Sequence, residues 1–473
     1  MSASTRSGAR VAIVGAGPAG AFAAANLLRA RGDVEIDLFE RLPTPWGLLR
    51  GGVAPDHQEI KRLESTFDRQ TLKRGCRFLG NVEVGTDISH AELMSHYAAV
   101  IYATGAQTDK SLGIPGEELP GSWAATEFVA WYNGHPDYRD LDFDLGARRA
   151  VVIGNGNVAA DVIRMLTRSA DELAQTDIAD HALEALRRSC IEEVVVLGRR
   201  GPAQAAFTSA ELRELGHLDG VDLRVDDAGA VLDPVSERWL AESGTFTART
   251  NVELLGDFAA RPERPDAGRR IVLRFLRSPV AIRGDGRVDA IDVQRNEIVR
   301  DDAGMLRARS AGGDLETIDC GLVLRSVGYR AVPLPDVPFD ERSYVLPNER
   351  GRVVDAERRP VAGVYTVGWI KRGPTGILGT NKRDAEETVS CLAEDLAAGA
   401  LPPPTNGDRD AIDALLSERV RDLVTIDGWR AIARHELDSG RRARRPRVKL
   451  ASREELLATA ARADPTPAGA GRS

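Results

Sequence analysis

The 473-residue chain reads as an α/β protein built from two doubly wound units in tandem, and three observations carry that reading. Near the N-terminus a short β-branched run leads into a glycine-rich turn and then an alanine-rich helical stretch. The same succession recurs after residue 149. A third apolar strand, Val364–Gly368, enters the glycine-rich stretch Arg372–Gly379 ahead of a helix over Lys382–Leu396. Strands alternating with helices through such turns belong to parallel sheets. At about 150 residues per domain the length suggests two or three domains. Hydrophobic residues at 42% and charged residues at 28% are ordinary for a globular protein whose cores need no metal or disulfide staple.

Val11-Ala-Ile-Val14 is short, apolar and β-branched, as a buried strand is. It runs into Gly15-Ala16-Gly17-Pro18-Ala19-Gly20 and a helix over Ala21–Arg29. Gly15 permits the tight turn, Gly17 lets a pyrophosphate reach the backbone, and Gly20 lets helix approach strand. The next strand, Glu35–Glu40, ends in an acid placed to accept hydrogen bonds from an adenosine ribose. These features in register mark a Rossmann-like dinucleotide site. Arg6 and Arg10 before the apolar run imitate a secretion signal, but the glycines and Pro18 interrupt it, and no stretch is apolar enough to span a bilayer.

The second unit repeats the grammar. Ala150–Ile153 enters Gly154-Asn155-Gly156-Asn157-Val158-Ala159, and an amphipathic helix follows to about Ser169. The next strand, Glu193–Leu197, ends in Gly198-Arg199-Arg200 where the first unit has Glu40. Two cations in place of an acid suit a 2′-phosphate, so this site is expected to prefer NADP over NAD. The long spacing between loop and arginines is filled by an extra helical insertion, Ala170–Ser189. Each unit closes alike, on Ala98–Gly105 and on Leu322–Gly328. Ile271–Arg283 and Arg287–Val299 flank Gly284-Asp-Gly286 as a hairpin. Pro402–Gly407 reads as a linker to a helical C-terminal region. That region carries the basic cluster Arg441, Arg442, Arg444, Arg445 and Arg447, and Asp464–Ser473 is expected to be disordered.

Net charge is −8, which argues against a general nucleic-acid binder. Cys76, Cys190, Cys320 and Cys391 are far apart, so a CxxC dithiol, a zinc knuckle and a Cys-ligated iron–sulfur cluster are not expected. No metal set is evident, and sparse cysteines fit a reducing cytoplasm. Two dinucleotide sites of opposite preference imply electron transfer between a held FAD and a diffusing NADPH, with hydride passing from nicotinamide to flavin.

Further segments carry a resemblance. Pro43–Arg50, Gly52–His57, Gly80–Gly85, Ile114–Pro120, Trp131–Asn133 and Gly198–Pro202 resemble the adrenodoxin-reductase-like ferredoxin–NADP reductases. So do Phe207–Glu214, Phe275–Pro279 and Gly368–Gly376, and with Pro446–Leu450 they look most like the actinobacterial members. The resemblance covers about Arg10 to Leu457. It implies glutathione-reductase-like FAD and NADP domains, the first formed by residues 10–108 plus 331–473, with an extension from about 402, the second by 109–330. It implies FAD contacts at Gly15, Ala16, Gly17, Pro18, Ala19, Gly20, Glu40, Leu48, Val84, Trp369, Gly376, Ile377 and Leu378. NADP contacts are implied at Asn155, Gly156, Asn157, Val158, Arg199, Arg200, Glu211 and Gly376. Leu48, Val84 and Glu211 rest on the resemblance alone.

The same resemblance places His57 and Glu211 beside the reacting rings, where a histidine that titrates near neutral pH could handle a proton. The plainer reading of His57 is a cap on a helix starting near Gln58. Ala160 stands where the family commonly has Leu, a difference of helix packing. The expected partner is an acidic ferredoxin, received on a basic face at Arg213 or at the C-terminal cluster. A reductase subunit feeding a partner enzyme and a non-enzymatic NADPH-sensing flavoprotein are the alternative readings.

Overall fold

The computed structural model describes residues 8–226, 231–376 and 378–463. Met1–Ser7, which includes Arg6, and Asp464–Ser473, expected to be a disordered tail, lie outside the described residues, as does Ile377. The chain divides into two compact units, one of residues 1–108, 133–137 and 329–473, the other of residues 109–132 and 138–328. The short piece Asn133–Asp137 belongs to the first unit through its side chains. Asn133 Oδ1 accepts from the buried ammonium groups of Lys61 and Lys449, each at 3.1 Å. Asp137 is ion-paired with Arg41 and Arg453.

The first unit is built on a seven-stranded sheet among the described residues, ordered 348–349, 352–354, 360–366, 99–102, 10–14, 35–40, 77–80. Its last five strands are parallel, and the two short edge strands are antiparallel. Strand Arg10–Val14 is buried on both faces, as its unbroken apolar run requires. On one face, Val11 and Ile13 join helices Pro18–Ala30 and Leu378–Ala397 and the C-terminal helices through Trp429, Ile432 and Leu456. On the other, Ala12 and Val14 pack with Tyr97, Tyr102, Ile412 and Leu416.

Within that unit the C-terminal region is tied in by charge. Arg50 donates twice to Glu436, at 2.8 and 2.5 Å, and Glu436 is fully buried. Arg447 bridges Glu436 and Glu64, so it serves the fold, and Arg419 reaches Glu92 at 2.7 Å.

The second unit has an all-parallel six-stranded sheet, ordered 122–124, 322–325, 149–153, 193–197, 269–274, 221–225. Beside it stands an antiparallel four-stranded sheet of 277–283, 290–300, 306–310 and 316–319. The hairpin around Gly284–Gly286 is present, but its first arm is not one strand from Ile271. Arg269–Arg274 joins the parallel sheet, the chain turns at Leu276 with φ 54°, and Arg277–Arg283 begins the antiparallel one. Apolar residues on both sides of Leu276 hid that change of sheet. Among the described residues no helix is long and apolar enough to cross a membrane.

Candidate functional site

In each unit the strand that enters the glycine loop lies between two later strands, Arg10–Val14 between Glu35–Glu40 and Ala99–Tyr102 and Arg149–Ile153 between Glu193–Leu197 and Leu322–Arg325, so the chain order reverses there and opens a crevice at the strand ends. The glycine loops sit at these points, and their detailed geometry is the same twice over. Gly15 N donates to Phe39 O at 2.8 Å, and Gly154 N to Leu197 O at 2.9 Å. Both glycines have positive φ, 107° and 116°, and a Cβ on either would lie 2.5 or 2.2 Å from the carbonyl oxygen of Ala103 or Ser326. Their requirement for glycine is therefore internal to the protein. Gly20 is equally constrained, since its Cβ would meet Gly15 O at 2.0 Å, whereas Ala159 fills the corresponding place fully buried.

Gly17 and Gly156 differ in kind. Neither has positive φ, and a Cβ on them would meet no protein atom nearer than 3.8 and 3.9 Å. Each precedes a helix, Pro18–Ala30 or Asn157–Thr167, whose N-terminus no side chain caps. Two helices thus present free backbone N–H groups and positive dipole ends over a surface kept bare of side chains, the arrangement that receives phosphate. Pro18 at the first helical position removes a donor that has no partner in any case.

The residues flanking the two loops set their preferences. In the first unit Glu40 accepts from Ala16 N at 2.9 Å and from Leu42 N at 3.1 Å, which pins the glycine loop to the second strand. Each carboxylate oxygen keeps a lone pair for a ribose hydroxyl. Burial pushes its carboxyl above the usual value, against the pull of those two N–H groups. In the second unit Arg199 and Arg200 follow strand Glu193–Leu197, and neither guanidinium has a hydrogen-bond or ion-pair partner among the described residues. Burial, with Arg199 and Arg307 nearby, pushes Arg200 below its ordinary value. Arg199 and Arg200, with no carboxylate paired to either among the described residues, make a site for an anion.

The other residues expected to contact FAD sit on several elements of the first unit. Trp46 N donates to Ala16 O at 2.8 Å, and Gly47 comes so close to Gly17 that a Cβ would sit 2.9 Å from its Cα. That turn sets Leu48, 37% exposed, at the head of a short helix beside the first loop. Val84 is half-buried in a loop bridged to Ile88. Gly368, at φ 79°, donates its N–H to Asp384, which also pairs with buried Lys371 at 2.9 Å. This fixes Trp369, whose ring meets Tyr329 at 5.1 Å and whose buried Nε1 has no partner among the described residues. Gly376 is exposed at φ 83°, and Leu378 opens the helix that packs on Pro18–Ala30. The orphaned indole N–H, the bare Gly17 surface and the spare lone pairs of Glu40 all fit a bound FAD.

In the second unit Asn155 O accepts from Ala206 N, and Asn157 Oδ1 from Thr208 N, so the loop holding Asn155–Val158 is braced. Glu211 lies in the first turn of helix Ser209–Leu215 and pairs with Arg164, a fully buried guanidinium that also binds Asp161. Sequence reasoning missed Arg164, because a single Arg on an amphipathic helix gives no signal of burial. Ala160 is fully buried, as a packing difference requires. His57 occupies the N-cap position of helix Gln58–Lys61, yet its side chain makes no capping bond. The imidazole is not explained by capping. Of the cysteines, Cys76, Cys320 and Cys391 are buried and all four are free. Burial pushes the Cys76 and Cys320 thiols up to about 12, so neither is a reactive thiolate.

A pair of glycine-loop sites, one ending in an acid and the other in two arginines, defines a two-dinucleotide flavin oxidoreductase. Residues 9–195 match the family described as pyridine nucleotide-disulphide oxidoreductase. The chain is 50% identical over 453 residues to the NADPH-ferredoxin reductase FprA of Mycobacterium leprae, covering 94% of this chain and 97% of that one. It is 41% identical over 465 residues to the mitochondrial NADPH:adrenodoxin oxidoreductase of Arabidopsis thaliana, covering 95% of each. A solved structure of Mycobacterium tuberculosis FprA in complex with NADPH superposes with a TM-score of 0.89 at 47% identity, covering 96% of this chain and all of that one. The chain belongs to the adrenodoxin-reductase-like ferredoxin–NADP reductases.

Proposed function

We propose that this chain is an NADPH–ferredoxin oxidoreductase that holds FAD in the first unit and receives NADPH in the second. The observation that carries the reading is the contrast between Glu40 and the unpartnered Arg199–Arg200 pair at equivalent strand ends. An acid accepts from ribose hydroxyls and repels a 2′-phosphate, while two guanidiniums attract one. The bare loops at Gly17 and Gly156 take the pyrophosphates, and Leu48, Val84, Trp369 and Gly376–Leu378 are assigned to the flavin. Bound FAD supplies the conversion of a hydride's two electrons into single-electron steps. The protein's own contribution is to fix the loops, exclude water and position the donor.

His57 and Glu211 are assigned to proton handling, His57 because no capping bond accounts for its imidazole and histidine is the side-chain type best suited to moving a proton. Glu211 is held in place by the buried Arg164. The electron acceptor is an acidic ferredoxin. Arg213, exposed and without an ion pair among the described residues, is the leading contact, and Arg199 and Arg200 are further cations of the same unit. The C-terminal cluster is a weaker candidate, since Arg447 is spent on Glu64 and Glu436 and Arg441 on Asp438. The working compartment is the cytoplasm, in keeping with four free cysteines. Anaerobic mixing with NADPH tests the whole reading. The flavin absorbance should bleach and then return on adding a ferredoxin. Bleaching by NADPH without recovery would favour the sensing flavoprotein.

A further inference from the structure

Helix Phe246–Ala259 turns Leu255 and Phe258 into the core of the second unit, and Asn251 of the same helix is fully buried with them. An amide taken out of water costs free energy unless both its ends are bonded. Here both are bonded. Its Nδ2 donates to Phe207 O at 2.8 Å, and its Oδ1 accepts from the Ser209 hydroxyl at 2.8 Å. One side chain therefore grips the chain on either side of Thr208. Thr208 in turn holds two parts of the candidate site. Its N–H donates to Asn157 Oδ1 at 2.8 Å, at the first residue of the helix that follows the second glycine loop. Its hydroxyl accepts from Glu211 N at 3.4 Å and caps helix Ser209–Leu215. Among the described residues Asn251 makes no hydrogen bond to the loop itself.

We propose that Asn251 is a positioning residue for NADPH, acting on the second glycine loop through Thr208. The inference rests on the NADPH reading of that loop. Helix Asn157–Thr167 offers a phosphate its uncapped N–H groups, and the way its first turn points decides where they point. Asn157 is where that turn is tethered, so whatever holds Thr208 aims the donors. The stretch between Gln204 and Ser209 belongs to no helix or named strand, and Asn251 fastens it to a helix of 14 residues. A brace rooted in a packed helix holds a site more closely than a loop alone can. Loss of the amide loosens the aim of the donors without removing any group that meets the nucleotide.

The test titrates NADP+ into the flavin-loaded protein by calorimetry. Asn251→Leu removes both bonds at similar volume and should weaken NADP+ about tenfold, with the KM for NADPH rising in step. Ser209→Ala removes only the bond to Oδ1, at a half-buried position where alanine suits the helix, and should cost about two- to threefold. Leu255→Val disturbs the packing of the same helix but removes no bond to Phe207 or Ser209. It should lower the melting temperature and leave NADP+ binding unchanged. Asn157→Ala cuts the route at Thr208, so adding Asn251→Leu to it should cost little more than Asn157→Ala alone. Ser209→Ala added to Asn157→Ala makes the same comparison if Asn251→Leu does not fold. Losses that add in the double variant, or a Leu255→Val loss as large as that of Asn251→Leu, would overturn the proposal, since Asn251 would then serve only the helix. Unchanged NADP+ binding in both Asn251→Leu and Ser209→Ala would overturn it too and leave the NADPH reading standing. If the parent protein itself fails to bind NADP+, the NADPH reading falls and the brace with it.

Discussion

A glycine tells two different stories in these loops, and substitution separates them. Gly15→Ala forces a Cβ into Ala103 O and a side chain into positive φ, so it should destabilise the unit outright. Gly17→Ala meets no protein atom nearer than 3.8 Å, an ordinary contact, so the protein should fold and melt nearly as before while flavin binds far more weakly. Bound-flavin absorbance after gel filtration, set against the melting temperature, checks both. For Arg199 and Arg200, neutral replacements together should raise the KM for NADPH by roughly ten- to a thousandfold, at about 1.5–3 kcal/mol per charged bond with incomplete additivity. NADH kinetics should hardly move. An equal loss with both nucleotides would mean that the arginines hold the unit together. Hydride transfer needs no general base, so His57→Ala should slow turnover about tenfold without abolishing it, and should alter its pH profile. Wild-type rates and pH dependence in that variant would remove His57 from the chemistry.

At the scale of elements, the short helix His90–His96 and the C-terminal helix Arg409–Arg419 are joined by one carboxylate. Glu92 closes a capping box with Ser89 and takes two bonds from Arg419. Arg419 and Ser89 hold the Glu92 carboxyl down to about 2. A lowered carboxyl stabilises the fold above its unfolded range, near 4.5, and that contribution fades as pH falls from there toward 2. Arg419→Ala should therefore lower the melting temperature slightly at pH 6 and hardly at all near pH 2. An equal drop at both would point to lost packing.

Elements of this kind divide what the sequence discloses from what it conceals. The glycine loops, Glu40 and the arginine pair were legible because backbone geometry and phosphate chemistry demand particular residues at fixed spacing. The strand starting at Ile271 was misread because apolar character does not say which sheet a residue enters. Arg164 and the Arg50–Glu436 pair were invisible for a related reason. Their partners lie 47 and 386 positions away, and only folding brings them together.

For the molecule as a whole, net charge is −8, so the proposed acidic carrier requires the positive charge to be concentrated locally. Attraction through such a face weakens as salt shortens the screening length to about 8 Å at physiological strength. Ferredoxin reduction should thus fall steeply with added salt, while reduction of a small neutral quinone should not. Arg213→Glu should raise the ferredoxin KM and flatten its salt dependence, and no change in either would move the docking face elsewhere. The order of the units along the chain has a separate outcome during synthesis. The second unit is nearly one continuous stretch, whereas strand Ala99–Tyr102 waits for Pro360–Thr366, Arg50 for Glu436 and Asn133 for Lys449. On the ribosome the second unit is complete while the first still lacks Pro360–Thr366, Glu436 and Lys449, so a group held by the first unit can be enclosed only after those residues have emerged.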